Sequence, residues 1–388
     1  AVNIECFSSS LRIDETSQLD MAIVDGKFDP SLKLDGKWSL NRENGTFKGI
    51  SFQDVTVIAE SPFLSRGVFN LHSDTSAVKD EEGKMSTIAK FPISISRIAL
   101  GLTGTYPTIS VDAALNLGKA EDANNFTAAA SMHVQCEVTQ NEVTNKQDWT
   151  LKKFGIREIA LDIKTTAFEL EGVIAFKQDD PVYGDGFSGG LSLSIADVID
   201  DISMYCMFGK FPDYKYWLVE ASIPITIPIT TNISITQLIG GLSYHVENTQ
   251  TVDDIIAAAR AGIEEPSIGL ADYYVPNKDV GIGFKAGVGF KYGAEKVLNG
   301  ELLFAIQFNS NGGLRDFMFR GDVYTMTTKA ERATAKNYGK GTIVIAYDNV
   351  EKILDAQLAI RAEFIDAFTA DIWAKFYISP GLWYFHLG

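Results

Sequence analysis

Residues 186–190, Gly-Phe-Ser-Gly-Gly, spell G-x-S-x-G, the pattern that sets a serine nucleophile on a sharp turn between a buried strand and a helix. Acyl transfer at Ser188 would also need a carboxylate and a base, and Asp197, Asp200, Asp201 or Asp213 with His245 follow in the chain. The flanks argue otherwise. The run Asp180-Pro181-Val182-Tyr183-Gly184-Asp185 before it is made of turn formers, and Leu191, Leu193 and Ile195 after it alternate with Ser192 and Ser194 as in a strand. The pattern therefore predicts glycines where backbones approach closely or a strand kinks, and no residue is assigned as catalytic.

The same stretch offers Asp179, Asp180 and Asp185 around one tight turn. Hard oxygen ligands in a compact loop suit calcium, the one cofactor for which the sequence offers candidate ligands, although the spacing matches no EF-hand. The competing use is aspartate as a turn former beside Pro181, and that is the expectation. Carboxylate pairs for glycoside hydrolysis can be drawn from Glu220, Glu264, Glu265 and Asp272, yet a chain with 50 acidic residues always contains such pairs. His72, His133, His245 and His386 stand apart, with no metal-binding spacing. Rings at Tyr214, Tyr216, Trp217, Tyr273 and Tyr274 are the candidate ligand-binding residues, since aromatic faces stack on sugars. Filling a core is the other use of such rings.

The elements that position these residues are strands. Ile282, Phe284, Ala286, Val288, Phe290 and Tyr292 alternate with glycines and lysines, and Ile223 to Ile229 alternate with Pro224, Thr226 and Pro228. The prolines place that second run at an edge or at a break in pairing. Ala356 to Phe364 has a helical composition but a period of two, which predicts strand. Asp25-Gly26, Asp35-Gly36, Asn44-Gly45, Asn299-Gly300 and Asn311-Gly312-Gly313 read as tight turns. One helix is expected, near 252–262, with Thr251 as its cap, Asp253 and Asp254 in its first turn and Gly262 at its end. The fold class is mainly β: long antiparallel hairpins in curved sheets or a sandwich. Polar residues at 140–152 suggest an N-terminal β region over 1–148 and a β-rich region with the helix over 149–388.

The 388 residues carry 34 basic and 50 acidic side chains, a net charge of −16, and no basic cluster. Such a chain repels phosphate backbones, so nucleic acid is excluded as a partner. Cys6, Cys136 and Cys206 lie far apart, which predicts free thiols rather than a zinc site or disulfide framework. No apolar stretch is long enough for a membrane-spanning helix. Both ends read as cut from something longer.

Taken in order, "DDPVYGDGFSGGL", "YWLVEA", "GGLSYHV", "YYVPN", "FKAGVGF", "LNGELLFAIQFNSNGGL" and "SPGLWYFHLG" resemble segments of very large, uncharacterised exported β-rich proteins of Bacteroidota. The resemblance implies an extracellular or cell-surface setting, and other proteins or surface glycans as partners, in a larger assembly. It brings no catalytic residues. The leading expectation is a non-catalytic structural or interaction module of a secreted or cell-surface protein. Two alternatives stand beside it: an outer-membrane β-barrel, and a carbohydrate-binding or hydrolytic β domain. Alternating strands of about ten residues favour the barrel; no aromatic girdle is evident along the sequence, and no aromatic residue closes the chain.

Overall fold

A computed structural model describes residues 2–6, 9–24, 27–40, 47–58, 64–73, 93–103, 106–116, 125–140, 147–263, 266, 268–269, 271–332, 334, 338–364 and 368–388. The protein is mainly antiparallel β with one short helix, Val252–Ala261. It divides into two compact units, the first Ala1–Thr166 with Val173–Ala175, the second Ala167–Gly172 with Phe176–Gly388.

In the first unit each strand pairs with its successor from Lys27–Leu40 through Phe47–Ile58, Leu64–Ser73, Ile93–Thr103, Tyr106–Asn116 and Asn125–Gln140 to Gln147–Lys164. The long Lys27–Leu40 strand takes Gln18–Val24 along one half and Ser9–Ile13 along the other. Side chains sort cleanly by face. Phe52, Phe69, Ile98, Val111, Met132 and Ile156 form one cross-strand row. The adjacent row on the opposite face is Ser51, Asn70, Arg97, Asp112, Ser131 and Glu158.

The second unit repeats this plan. Strands Ile199–Lys210, Lys215–Pro228, Ile233–Tyr244, Val280–Tyr292, Leu298–Asn309, Leu314–Thr325, Tyr338–Asp348, Ile353–Phe364, Phe368–Ser379 and Leu382–Leu387 each pair with the next. Gly184–Ile195 pairs with the first of these. The period-two segments at 280–292 and 353–364 are both strands, as their alternation requires. The helix has the expected Thr251 capping box and ends at Gly262, whose φ of 75° places it in the left-handed region that glycine enters without strain.

Two local expectations need correction, and a third is met in one of its two forms. Asn299-Gly300 lies inside a strand, because the Asn299 carboxamide donates to the carbonyls of Glu295 (2.8 Å) and Thr327 (2.7 Å) and so closes the preceding loop from within. Asp35-Gly36 lies within Lys27–Leu40, at a register shift where Asp35 accepts the Asp54 N–H. The prolines of Lys215–Pro228 fall at a break in pairing rather than at a sheet edge, since the strand pairs on both sides. Its ladder with Ile199–Lys210 ends at Ser222, and a register shift between Pro224 and Ile227 absorbs the missing N–H on the other side. Asp25-Gly26, Asn44-Gly45, Glu264 and Glu265 lie outside the described residues. Cys136 and Cys206 are free thiols.

Candidate functional site

The second unit's sheet exposes apolar side chains on one face and buries polar ones, among a smaller apolar core, on the other. One face carries the cross-strand row Met204, Ala221, Gly240, Ala286, Phe304, Phe319, Ile345, Ala356, Phe376 and Phe385. A parallel row runs Val219, Leu242, Phe284, Ile306, Phe317, Tyr347, Leu354, Ile378 and Trp383. Leu242, Phe284, Phe304, Ile343, Leu358, Ile360, Ile372, Phe376 and Trp383 are all exposed. The opposite face carries Glu220, Ser222, Gln237, Ser243, Arg320, Asp322, Lys340, Thr342, Gln357 and Lys375, and every one of them is buried.

An insert buries many of them, while Lys329 of the loop after Leu314–Thr325 donates to Gln237. His245 leaves the Ile233–Tyr244 strand with φ of 56°, and the chain rejoins the sheet at Val280, directly beside the strand it left. Between them, Val246–Asn248 pairs with Tyr274–Pro276, and the helix follows the first of these short strands. Ile255, Ile256, Ala259 and Val252 pack on Val344 and Ala359, with Met318, Ala346 and Trp373 around them. A second cluster joins Val246 and Tyr274 of the insert to Tyr205, Met207, Tyr216 and Leu218 of the sheet.

Charged and polar side chains of the sheet then hold the insert along its length. Glu220, only 1 % exposed, accepts from the Gly269 N–H (2.8 Å), the Tyr274 hydroxyl (2.5 Å) and the Lys285 ammonium (2.9 Å). A buried carboxylate is tolerated only with such a full set of donors. Gln307 donates to the Val246 carbonyl (2.8 Å), and Arg315 pairs with Glu247 (2.7 Å). At the helix, Asp253 receives Gln357 (2.6 Å) and Lys375 (2.8 Å), and Arg260 pairs with Asp371 at 2.8 Å. Arg361 donates to the Arg260 carbonyl (2.6 Å) and Lys340 to the Ile263 carbonyl (3.2 Å), meeting acceptors that the helix end leaves open. Burial pushes the Asp253 carboxyl up, but the hydrogen bonds from Gln357 and Lys375, with the lysine's charge, outweigh it and hold the group below its ordinary value.

The candidate residues fall elsewhere, or into this packing. Ser188 sits in mid-strand opposite Met207, with no helix after it, so an elbow's geometry is absent. A Cβ on Gly186 would collide with the Phe208 carbonyl oxygen, the close approach its glycine implied. Asp180 Oδ1 accepts the N–H groups of Val182 (2.8 Å) and Tyr183 (2.9 Å), and Asp185 Oδ1 accepts that of Asp179 (2.9 Å). Each bond shapes the turn. Among the described residues no group of three His, Cys, Asp or Glu side chains is arranged to hold a metal. Tyr216 and Tyr274 are buried in the second cluster, and Tyr216 donates to the Tyr183 carbonyl (2.7 Å). Tyr214 stacks on Phe211 with ring centroids 5.0 Å apart. Tyr273 lies in a 3-10 turn whose carbonyl receives Thr249, and Trp217 is on the apolar face, between Phe208 and Tyr244.

No protein-family profile matches the chain, and no curated protein matches it. Among the described residues no helix is long and apolar enough to cross a membrane.

Proposed function

We propose that the chain forms part of the wall of an outer-membrane β-barrel belonging to a large exported protein, with the 245–279 insert lodged against its lumenal face. The inverted polarity of the second unit carries this reading. Nine neighbouring strands of 11–14 residues, spaced about 4.8 Å apart and each turning about 30 Å of its length outward, present an apolar face on the order of 1,300 Å². The largest apolar patch on a typical soluble monomer is about 300–600 Å². Hydrocarbon is the solvent that stabilises such a face, and in hydrocarbon every backbone group must pair within the sheet.

The dimensions fit. Along Lys215–Pro228 the outward residues run from Trp217 to Ile227, about 33 Å of strand, or ~23 Å in height at a tilt of ~45°. A lipid-facing band is about 25 Å tall. A girdle flanks it: Phe187, Phe208, Trp217 and Tyr244 are cross-strand neighbours at one end of the hairpins. Phe308, Phe317, Tyr347 and Trp383 sit beside the 310–313, 349–352 and 380–381 turns at the same end. The resemblance to exported Bacteroidota proteins supports the setting.

Detergent dependence tests the reading. The protein is expected to float with liposomes and to require detergent for extraction. A monodisperse protein in plain buffer, with Leu242→Cys reacting freely with a hydrophilic thiol reagent, would sink it.

A further inference from the structure

The polar face is not filled completely. A cavity of about 360 Å³ lies under the insert, lined by Ser243, Glu247, Lys285, Arg315 and Asp355 among others. A second, of about 440 Å³, lies further along the same strands, toward the 293–297 and 326–334 loops, and includes Ser222, Glu301, Asp322, Lys329 and Arg332. Leu303, Arg320 and Pro266 line both. Leu303 and Arg320 stand directly opposite one another on neighbouring strands, where the two spaces meet.

The two cavities follow one another along the strand direction, which under the proposed function is the direction across the membrane. Charged and amide groups line both, beside apolar side chains such as Leu218, Ile306 and Met318 in the first and Ile268 and Tyr324 in the second. Eight carboxylate side chains and five cationic ones line the pair, and Lys375 stands 3.1 Å from the lining Asp355, which leaves an excess of two negative charges. Rings and clusters of carboxylates in a confined polar space concentrate cations and repel anions. The geometry points to a permeation path for small cations along the insert-bearing face, with its barrier at Leu303 and Arg320. This inference rests on the barrel reading, and it adds a conducted species and a gate position to it.

The test uses the full chain in liposomes, with the three native cysteines replaced by alanine. Single cysteines are then placed at Ser243 in the first cavity, Ser222 in the second and Leu242 on the apolar face. Matched cationic and anionic methanethiosulfonates are added from one side. The expected result is a shielded Leu242→Cys and, after correction for intrinsic reactivity, a cationic preference on the order of tenfold at Ser243→Cys and Ser222→Cys. Each of these two is expected to react from one side only. Leu303→Ala, or the milder Leu303→Val, is expected to open both to either side. The path is overturned if the protein floats and shields Leu242→Cys while both cavity cysteines stay inert, or if the anionic reagent is preferred. Failure to float, with Leu242→Cys reactive, removes the barrel reading itself and is thereby told apart.

Discussion

Phe304 and Tyr292 make a matched pair for testing what solvent faces the apolar side. They are 43 % and 44 % exposed, but Phe304 lies at the middle of Leu298–Asn309 and Tyr292 at the end of Val280–Tyr292. In water the two positions are equivalent, and arginine at either costs about 0.5 kcal/mol or less, with up to ~1.5 more at Phe304 for its ring contact with Phe317. In a bilayer depth separates them. Arginine near the midplane of a lipid-facing strand costs about 2–4 kcal/mol, and near the interface about 0–1. Phe304→Arg is therefore expected to lose some 2–3 kcal/mol more than Tyr292→Arg, a factor of roughly 30 to 150 in the folded-to-unfolded ratio. Phe304→Ala separates the ring's packing from the charge. Reversible urea unfolding in phospholipid vesicles, followed by tryptophan fluorescence, reads the three variants. Equal losses at 304 and 292, or a Phe304→Arg cost fully reproduced by Phe304→Ala, would refute a lipid-facing band.

Four further outcomes are expected. Glu220→Ala leaves the Lys285 ammonium, 10 % exposed, without its partner in a buried site; a loss of about 3–5 kcal/mol is expected, and Glu220→Leu with Lys285→Met should recover most of it in the same unfolding assay. Gly186→Ala drives a Cβ into the Phe208 carbonyl and should cost about 1–3 kcal/mol, against little for Gly190→Ala, where the nearest atom is 3.7 Å away. Melting in EDTA and in millimolar calcium should give one midpoint, with Asp185→Asn equally indifferent to the ion, since Asp180 and Asp185 are occupied by backbone N–H groups; a calcium-dependent rise would restore the metal site. Because the Asp253 carboxyl is held below its ordinary value of 3.8, its contribution to helix docking is complete above that value and is lost as pH falls through the lower folded value. Trp373 fluorescence should accordingly stay flat from pH 8 to 4 and change only below, and Asp253→Asn should remove that acidic step.

Much of the local structure was legible because its cause is local. Thr251 and Gly262 bound the helix through caps that involve residues three or four apart, and the Ile353–Phe364 strand declares itself by its period despite its helical composition. The misread turns fail for the opposite reason. Asn299-Gly300 is held inside a strand by bonds to Glu295 and Thr327, and by an approach of the Phe290 ring that a Cβ at Gly300 would meet at 2.9 Å. None of those partners is visible in the dipeptide. The aromatic row was hidden likewise: Phe187, Phe208, Trp217 and Tyr244 are dispersed over 58 residues and become neighbours only through strand register.

The site itself was missed because period two names two faces without saying which one meets water. Lys285 between Phe284 and Ala286, or Asp322 between Gly321 and Val323, reads equally as the wet side of a soluble hairpin and as the lumenal side of a barrel. The insert is what favours the barrel reading proposed above. It spends a capped helix and two short strands on the charged face, and it leaves Phe284, Phe304, Leu358 and Phe376 uncovered. A chain folding for water would place its helix over the apolar face, since that burial is the dominant stabilising term and each large side chain contributes about 1.5–3 kcal/mol. Here Val252, Ile255, Ile256 and Ala259 meet the small apolar area around Val344 and Ala359, Val246 and Tyr274 meet that around Tyr205, Met207, Tyr216 and Leu218, and ion pairs fix the contacts between them. That choice of face is unfavourable in water and favourable in a bilayer, where the apolar side is already solvated by lipid and the polar side is the one that needs partners.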